Sequence, residues 1–207
     1  MTVIQGSPEW FASRLGRVTA SRLADVVAKL KTGEAATRAG YRAELVAERL
    51  TGKQAEGFTN GSMKWGTDCE PLARAAYEAE TGVFVVETAM IAHPTIAMSG
   101  ASPDGLVGAD GQIEAKCPET KNHIDTILSG KAPANYIPQM QWQMACTGRA
   151  WCDFISFDPR MPADMQLFVV RVLRDDVLIT SYEAEVIKFL SEVESTIEQL
   201  NHWKEAA

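Results

Sequence analysis

Asp104 and Glu114 are two carboxylates ten positions apart, and Lys116 follows two residues later in the run Glu114-Ala115-Lys116. Side chains alternate along a β-strand, so Glu114 and Lys116 share one face while Ala115 points to the other. A hairpin turn at Asp110-Gly111 is expected to fold Asp104 back beside Glu114. Two carboxylates held together repel unless a cation lies between them. Ligation by carboxylate, carbonyl and water oxygens suits Mg²⁺ or Mn²⁺. A lysine ammonium at such a site orients or helps deprotonate an attacking water and stabilises charge developing at phosphorus. That is the chemistry of phosphodiester hydrolysis. A turn aspartate plus an E-x-K strand is, taken alone, more often surface charge. Context shifts the balance: Ile113, Ala115 and Cys117 give the strand an apolar face. Its polar face meets a helix carrying Gln139, Gln141 and Gln143, which cannot all lie on one helical face, so one of them is expected to look at the site.

The elements around this strand follow from pattern. Ser7-Pro8-Glu9 carries an N-cap, a proline at the first helical position and an acid in the first turn, and the short helix should stop near Gly16. A second helix start at Thr19-Ala20-Ser21 leads into Leu23, Val26, Val27 and Leu30, spaced for one face, before the basic loop Lys29-Leu30-Lys31-Thr32-Gly33. Helices are expected over Tyr41 to Leu50 and Ser62 to Glu80, the second capped by Gly82. The period then changes to short β-rich runs at Val83-Phe84-Val85-Val86, Met90-Ile91-Ala92 and Ala97 to Ala101. Ser102-Pro103-Asp104-Gly105 and Asp110-Gly111 punctuate them as turns, and Gln112 to Lys116 follows as a strand. Helices over Glu119–Ser129 and Pro138–Thr147 and strands over Trp151–Phe157 and Gln166–Leu173 come next. A C-terminal helix from Tyr182 to Trp203 should turn Ile187, Leu190, Val193 and Ile197 inward. This order gives an α/β fold with a mixed sheet flanked by helices, read as a single domain over residues 1–207.

Composition sets the outer limits. The chain has 207 residues, 46% hydrophobic and 23% charged, which suits a globular protein with a sizeable core and excludes a collagenous or disordered chain. No apolar run approaches the ~20 residues that span a bilayer. Met1 to Trp10 lacks the basic and apolar regions of a secretion signal. Four cysteines, at 69, 117, 146 and 152, form no C-x-x-C pair, so free thiols are expected rather than a zinc or iron–sulfur centre. Net charge is −7, unevenly spread. Residues 1–60 hold nine Lys and Arg against six Asp and Glu, whereas the last 33 residues hold eight acids and two lysines. That argues against broad coating of nucleic acid but permits a local basic channel.

The residues also match a family. Trp10…Arg14-Leu15-Gly16, Thr19-Ala20-Ser21, Trp65-Gly66…Glu70, Ser102-Pro103-Asp104-Gly105-Leu106, Glu114-Ala115-Lys116-Cys117-Pro118, Gln139-Met140-Gln141 and Asp158-Pro159-Arg160-Met161 fall in order. In these the chain resembles the phage lambda exonuclease group, the YqaJ-like viral recombinases of the PD-(D/E)xK nuclease superfamily. The resemblance implies a restriction-endonuclease-like core and a Mg²⁺-dependent, processive 5′→3′ exonuclease. Such an enzyme digests one strand of linear double-stranded DNA and leaves a 3′ single-stranded tail for recombination. It implies two Mg²⁺ ions, replaceable by Mn²⁺, held by Asp104, Glu114, Glu70 and the Ala115 carbonyl. Lys116 would serve the nucleophilic water, with Gln139 assisting its orientation. Arg14, Ser21 and Ser102 match a pocket for a terminal 5′-phosphate, and a guanidinium with two hydroxyls is a sensible anion site on physical grounds. Met63 falls where the family has an apolar wedge against the terminal base pair, though the relative compared has leucine there. Lys31 falls where the family has a basic loop that tracks the duplex. A homotrimeric ring, a single-strand annealing protein as partner, no membrane association and a cytoplasmic, phage- or prophage-encoded origin in a bacterial host are implied with it. The alternatives are a structure-specific or restriction-type endonuclease with the same site, and a non-catalytic DNA-end-binding protein.

Overall fold

The structure, a computed structural model, describes residues 5–54 and 61–206. Helix α1 (Pro8–Arg14) opens as its sequence demands: the Ser7 hydroxyl accepts a hydrogen bond from the Trp10 amide at 3.2 Å, with proline at the start. Strand β1 (Val18–Thr19) follows, then a 3₁₀ turn over Ala20–Arg22 and a short helix α2 (Leu23–Val26). The expected helix to Leu30 therefore ends a turn early. Leu23 and Val26 are buried, but Leu30 is 59% exposed in the loop. An isolated bridge between Lys29 and Glu34 turns the chain there instead of continuing the helix. Helix α3 (Ala36–Thr51) begins before Tyr41, and α4 (Gly61–Thr81) runs straight through Pro71.

The β region is divided between two sheets rather than one. Three short strands, β1, β4 (Ser99–Ala101) and β3 (Ile91–Ala92), pair in the order β1-β4-β3. The larger sheet has the order β2-β5-β6-β7-β8, formed by Val85–Val86, Gly105–Val107, Gly111–Lys116, Trp151–Phe157 and Leu167–Leu173. Strand β6 lies at its centre, antiparallel to β5 and parallel to β7. Gly105, read from sequence as part of a turn, already belongs to β5. It must be glycine: a Cβ there would stand 2.0 Å from the Val85 side chain of the neighbouring strand. The hairpin from β5 to β6 turns through Gly108, whose φ of +52° is the left-handed conformation glycine adopts without cost.

Helix α5 (Thr120–Ser129) and α6 (Ile137–Thr147) separate β6 from β7, and α7 (Asp176–Ala206) closes the chain. The core lies in three groups of side chains. One joins α2, α3, α6 and α7 around Tyr41, Trp142 and Phe189. A second packs α4 against the Ile113, Ala115 and Cys117 face of β6, as the alternation predicts. The third places Met140 and Met144 of α6 against Cys152 and Phe154 of β7. Helix α7 starts six residues earlier than expected, and its inward stripe includes Ile179, Val186, Phe189 and Val193. Ile187 is 57% exposed, which corrects its inward assignment: one residue from Val186 is a 100° rotation away from the buried line. The mixed α/β architecture with helices flanking the sheets is the expected fold class. Among the described residues no helix is long and apolar enough to cross a membrane.

Candidate active site

The β5–β6 register pairs Gly105 with Ile113 and Leu106 with Gln112, which carries Asp104 to the position opposite Glu114. Asp104 Oδ2 accepts the Ala115 amide at 2.7 Å, so the carboxylate takes the place a strand neighbour would fill. A strand residue's N–H and C=O lie on the same side of the strand, so the Ala115 carbonyl opens toward that same edge. Glu114 is fully buried, and Asp104 is 8% exposed. Burial first, then Glu114 and Glu70, push the Asp104 carboxyl well above the usual carboxylate range, against the opposing pull of Lys116 and the Ala115 amide.

Lys116 lies on the same face as Glu114 and ion-pairs with Glu114 Oε1. Burial alone would depress its ammonium; the Glu114 and Asp104 carboxylates outweigh it and hold the group above its ordinary range. The ammonium stands 5.2 Å from the centre of the Tyr136 ring. Gln139 Nε2 donates to Glu114 Oε1 at 2.6 Å. Gln143 Nε2 donates to Glu114 Oε2 at 2.5 Å. Two of the three glutamines therefore face the site, not one. Gln141 points away and bonds the Leu173 carbonyl and the Asp175 amide.

Asp104, Glu114, Ala115, Lys116, Tyr136 and Gln139 line a cavity of about 860 Å³ that also contains Glu70, Arg14, Ser21 and Ser102. Glu70, on α4, accepts from Arg74 at 3.3 Å. Burial raises its carboxyl, Arg74 opposes that, and Glu114 adds to it. Arg14 Nη1 and Nη2 donate to Ser102 Oγ at 3.4 Å and Ser21 Oγ at 3.3 Å. Its guanidinium stacks 4.1 Å over the Trp10 ring, and Trp10 Nε1 in turn donates to Ser102 Oγ at 3.1 Å. Burial lowers the Arg14 pKa. Among the described residues Arg14 has no carboxylate at ion-pair distance. The candidate phosphate triad thus converges in the cavity that holds the carboxylates.

One candidate lies apart from this assembly, and one is described by its backbone alone. Lys31 is exposed in the loop between α2 and α3 and does not line the cavity. Met63 stands on the first turn of α4, but its side chain lies outside the described residues. Sequence reasoning gave no role to Tyr136 or Arg160 and left Gln143 as one of three glutamines of which one was to face the site, although all three are at the site. Arg160 Nε and Nη2 bind Asp158 at 2.7 and 3.0 Å, and the guanidinium stacks 4.7 Å over Trp65. A four-residue spacing put Gln143 on the face of Gln139, which was the available signal.

Among the described residues no three of His, Cys, Asp and Glu are gathered closely enough to hold a metal in this arrangement. Lys116 and two amides occupy the Glu114 carboxylate, and Arg74 holds Glu70. All four cysteines are free and buried.

The YqaJ-like viral recombinase domain matches residues 9–150 of the chain. The chain belongs to that family. A crystal structure of the alkaline exonuclease LHK-Exo from Laribacter hongkongensis is 56% identical to this YqaJ-like chain, covers 97% of it and 99% of its own length, and superposes with a TM-score of 0.90. A complex of LHK-Exo with dAMP covers the same shares at 56% identity with a TM-score of 0.91. A phage-related exonuclease from Haemophilus somnus 129PT, 18% identical over 89% of this chain and 96% of its own, has a TM-score of 0.73 and shares the fold. No curated protein matches.

Proposed function

We propose that this YqaJ-like protein is a DNA exonuclease that digests one strand of linear duplex DNA from its 5′ end, using divalent metal ions, and leaves a 3′ tail for recombination. The observation that carries the reading is the convergence of two unlike groups in one cavity: Asp104, Glu114 and Lys116, and the Arg14 cation between the Ser21 and Ser102 hydroxyls. The family and the 56% identity to an alkaline exonuclease support the reaction class. The dAMP complex of that relative supports a cavity that accepts a nucleoside monophosphate.

The donor set fits a hard divalent cation. Asp104, Glu114 and Glu70 are all oxygen donors, and Glu114 and Glu70 raise the cost of ionising Asp104, which Lys116 offsets only in part. Asp104, Glu114, Glu70 and the Ala115 carbonyl would hold Mg²⁺, or Mn²⁺ in its place. When bound, the ions polarise the scissile phosphate and favour hydroxide at neutral pH. Arg14 holds the terminal phosphate through charge and two donor edges, and Ser21 and Ser102 fix the rotation of that dianion. Lys116, an ammonium beside Glu114, orients the attacking water and stabilises the charge that develops at phosphorus. Gln139 fixes the Glu114 oxygen nearest Lys116. Every cleavage exposes a new 5′-phosphate, and its capture at Arg14 draws the strand forward and supports processivity. A trimeric ring around DNA, an annealing protein that takes over the 3′ tail, and action in the cytoplasm of a bacterial host belong to the same reading.

The test is digestion of linear duplexes labelled at either the 5′ or the 3′ end, beside a closed circular duplex, with Mg²⁺ or with EDTA. The reading expects early release of the 5′ label as a mononucleotide, an intact circle, and no release in EDTA. Cutting of the circle, or first release of the 3′ label, contradicts it.

A further inference from the structure

Glu114 is held by more than Lys116 and Gln139, and its further contacts form a chain with a direction. Helix α6 presents Gln139, Gln143 and Thr147 at four-residue spacing along the polar face of β6, where Gln112, Glu114 and Lys116 alternate. Thr147 Oγ1 donates to Gln112 Oε1 at 2.8 Å. With its carbonyl oxygen taken by a hydroxyl, Gln112 turns its NH₂ to Gln143 Oε1 at 3.3 Å. Gln143 then has only its own NH₂ to offer Glu114 Oε2 at 2.5 Å. Gln112, Gln143 and Glu114 are each 0% exposed, so none can exchange these partners for water.

We propose that Thr147, Gln112 and Gln143 are positioning residues that act as a one-way hydrogen-bond relay, fixing Glu114 for divalent-cation binding; this rests on the metal-dependent reading above. Each amide has one donor end and one acceptor end, so reversing Gln143 would set a carbonyl oxygen against the buried Glu114 carboxylate, and reversing Gln112 would set one against the Gln143 carbonyl. The Glu114 carboxylate, which only accepts, sets the direction, and the Thr147 hydroxyl at the half-buried end supplies the donor that satisfies Gln112 Oε1. The result is a carboxylate with Oε2 anchored in the protein and Oε1 left on the Lys116 side. A ligand carboxylate held in this way loses no orientational freedom when the cation arrives, and partners behind metal ligands typically govern affinity by 10–100-fold. A merely structural clamp between α6 and β6 would change stability without changing cation affinity.

The experiment is calorimetric titration of the DNA-free full chain with Mn²⁺, paired with steady-state digestion of linear duplex. Gln143→Leu is expected to weaken Mn²⁺ binding by about 10–100-fold and to lower kcat with KM for DNA unchanged. Thr147→Val should shift both in the same direction by less, whereas Thr147→Ser, which keeps the hydroxyl, should match the parent. A folded Gln143→Leu protein with parental Mn²⁺ affinity and kcat overturns the relay. If Gln143→Leu does not fold, parental Mn²⁺ affinity in Thr147→Val overturns it. Glu114→Gln separates the two levels. Weakened binding there beside parental binding in Gln143→Leu removes only the relay; parental binding in Glu114→Gln removes the metal reading and the relay with it.

Discussion

Two arginines of one cavity, Arg14 and Arg160, are built alike and used differently. Each guanidinium lies over a tryptophan ring, Arg14 on Trp10 at 4.1 Å and Arg160 on Trp65 at 4.7 Å. Arg160 carries its own counter-ion: Asp158, fully buried, takes two of its donors, and the pairing raises the Arg160 pKa. Arg14 donates to two hydroxyls and has no ion pair among the described residues; burial lowers its pKa against the weaker pull of Tyr41 and Glu48. A charge neutralised within the protein contributes to the fold, whereas a half-desolvated guanidinium with neutral partners is completed by an anion from outside. On the proposed reading, the contrast separates a structural cation from a ligand-binding one in the same 860 Å³. Lys116 is a third kind, paired with Glu114 yet placed among carboxylates that repel one another.

The largest expected effect belongs to that third cation. Lys116→Ala removes the only ammonium that the described residues place at the carboxylates. Single-turnover digestion should slow by about 10²–10⁴-fold, the usual range for a positioned catalytic group, while duplex binding measured by fluorescence anisotropy stays close to parental. Near-normal digestion would place the chemistry elsewhere.

Arg160→Ala should act mainly on stability, because it leaves the buried Asp158 carboxylate with the Thr120 hydroxyl and one backbone amide. A loss of about 2 kcal/mol in urea unfolding, without a changed preference between phosphate and hydroxyl ends, is the expected pattern. A lost end preference with intact stability would exchange the roles of the two arginines.

Smaller still is a pH effect. Burial opposes ionisation of Asp158, but Arg160 and Thr120 win and draw its carboxyl down to about 2. A depressed folded pKa contributes stability above the unfolded value of 3.8 and loses it as pH falls toward 2. Asp158→Asn should therefore be less stable than the parent at pH 6, and the gap should narrow on acidification between about pH 4 and pH 2. A constant gap across that range in thermal unfolding would show that Asp158 is not the titrating group.

How much of this was legible in the sequence depends on the range of the interaction. Alternation and one turn put Asp104 beside Glu114, and β5–β6 register carries that through residue for residue. The helix start at Ser7 and the glycine stop after α4 were local signals and sit where read. Leu30 and Ile187 fit a helical period equally well but face outward, because the period alone does not say which of two adjacent lines meets the core. Gln143 and Gln112 carry no local signal of their pairing, which exists only once α6 lies along β6. The split into two sheets likewise depends on which edge β4 chooses, β1 and β3 rather than β5.

The central claim is that Arg14 reads the 5′-phosphate of a strand cleaved at Lys116, Glu114 and Asp104. Single-turnover digestion of matched duplexes, with 5′-phosphate or 5′-hydroxyl ends and excess trap DNA, measures it in parent and Arg14→Ala as a cycle of four rates. The account predicts a clear phosphate advantage in the parent that falls to near unity in Arg14→Ala, with shorter tracts per encounter and residual cleavage of both ends. An Arg14→Ala protein that keeps the parental phosphate advantage and tract length would contradict it.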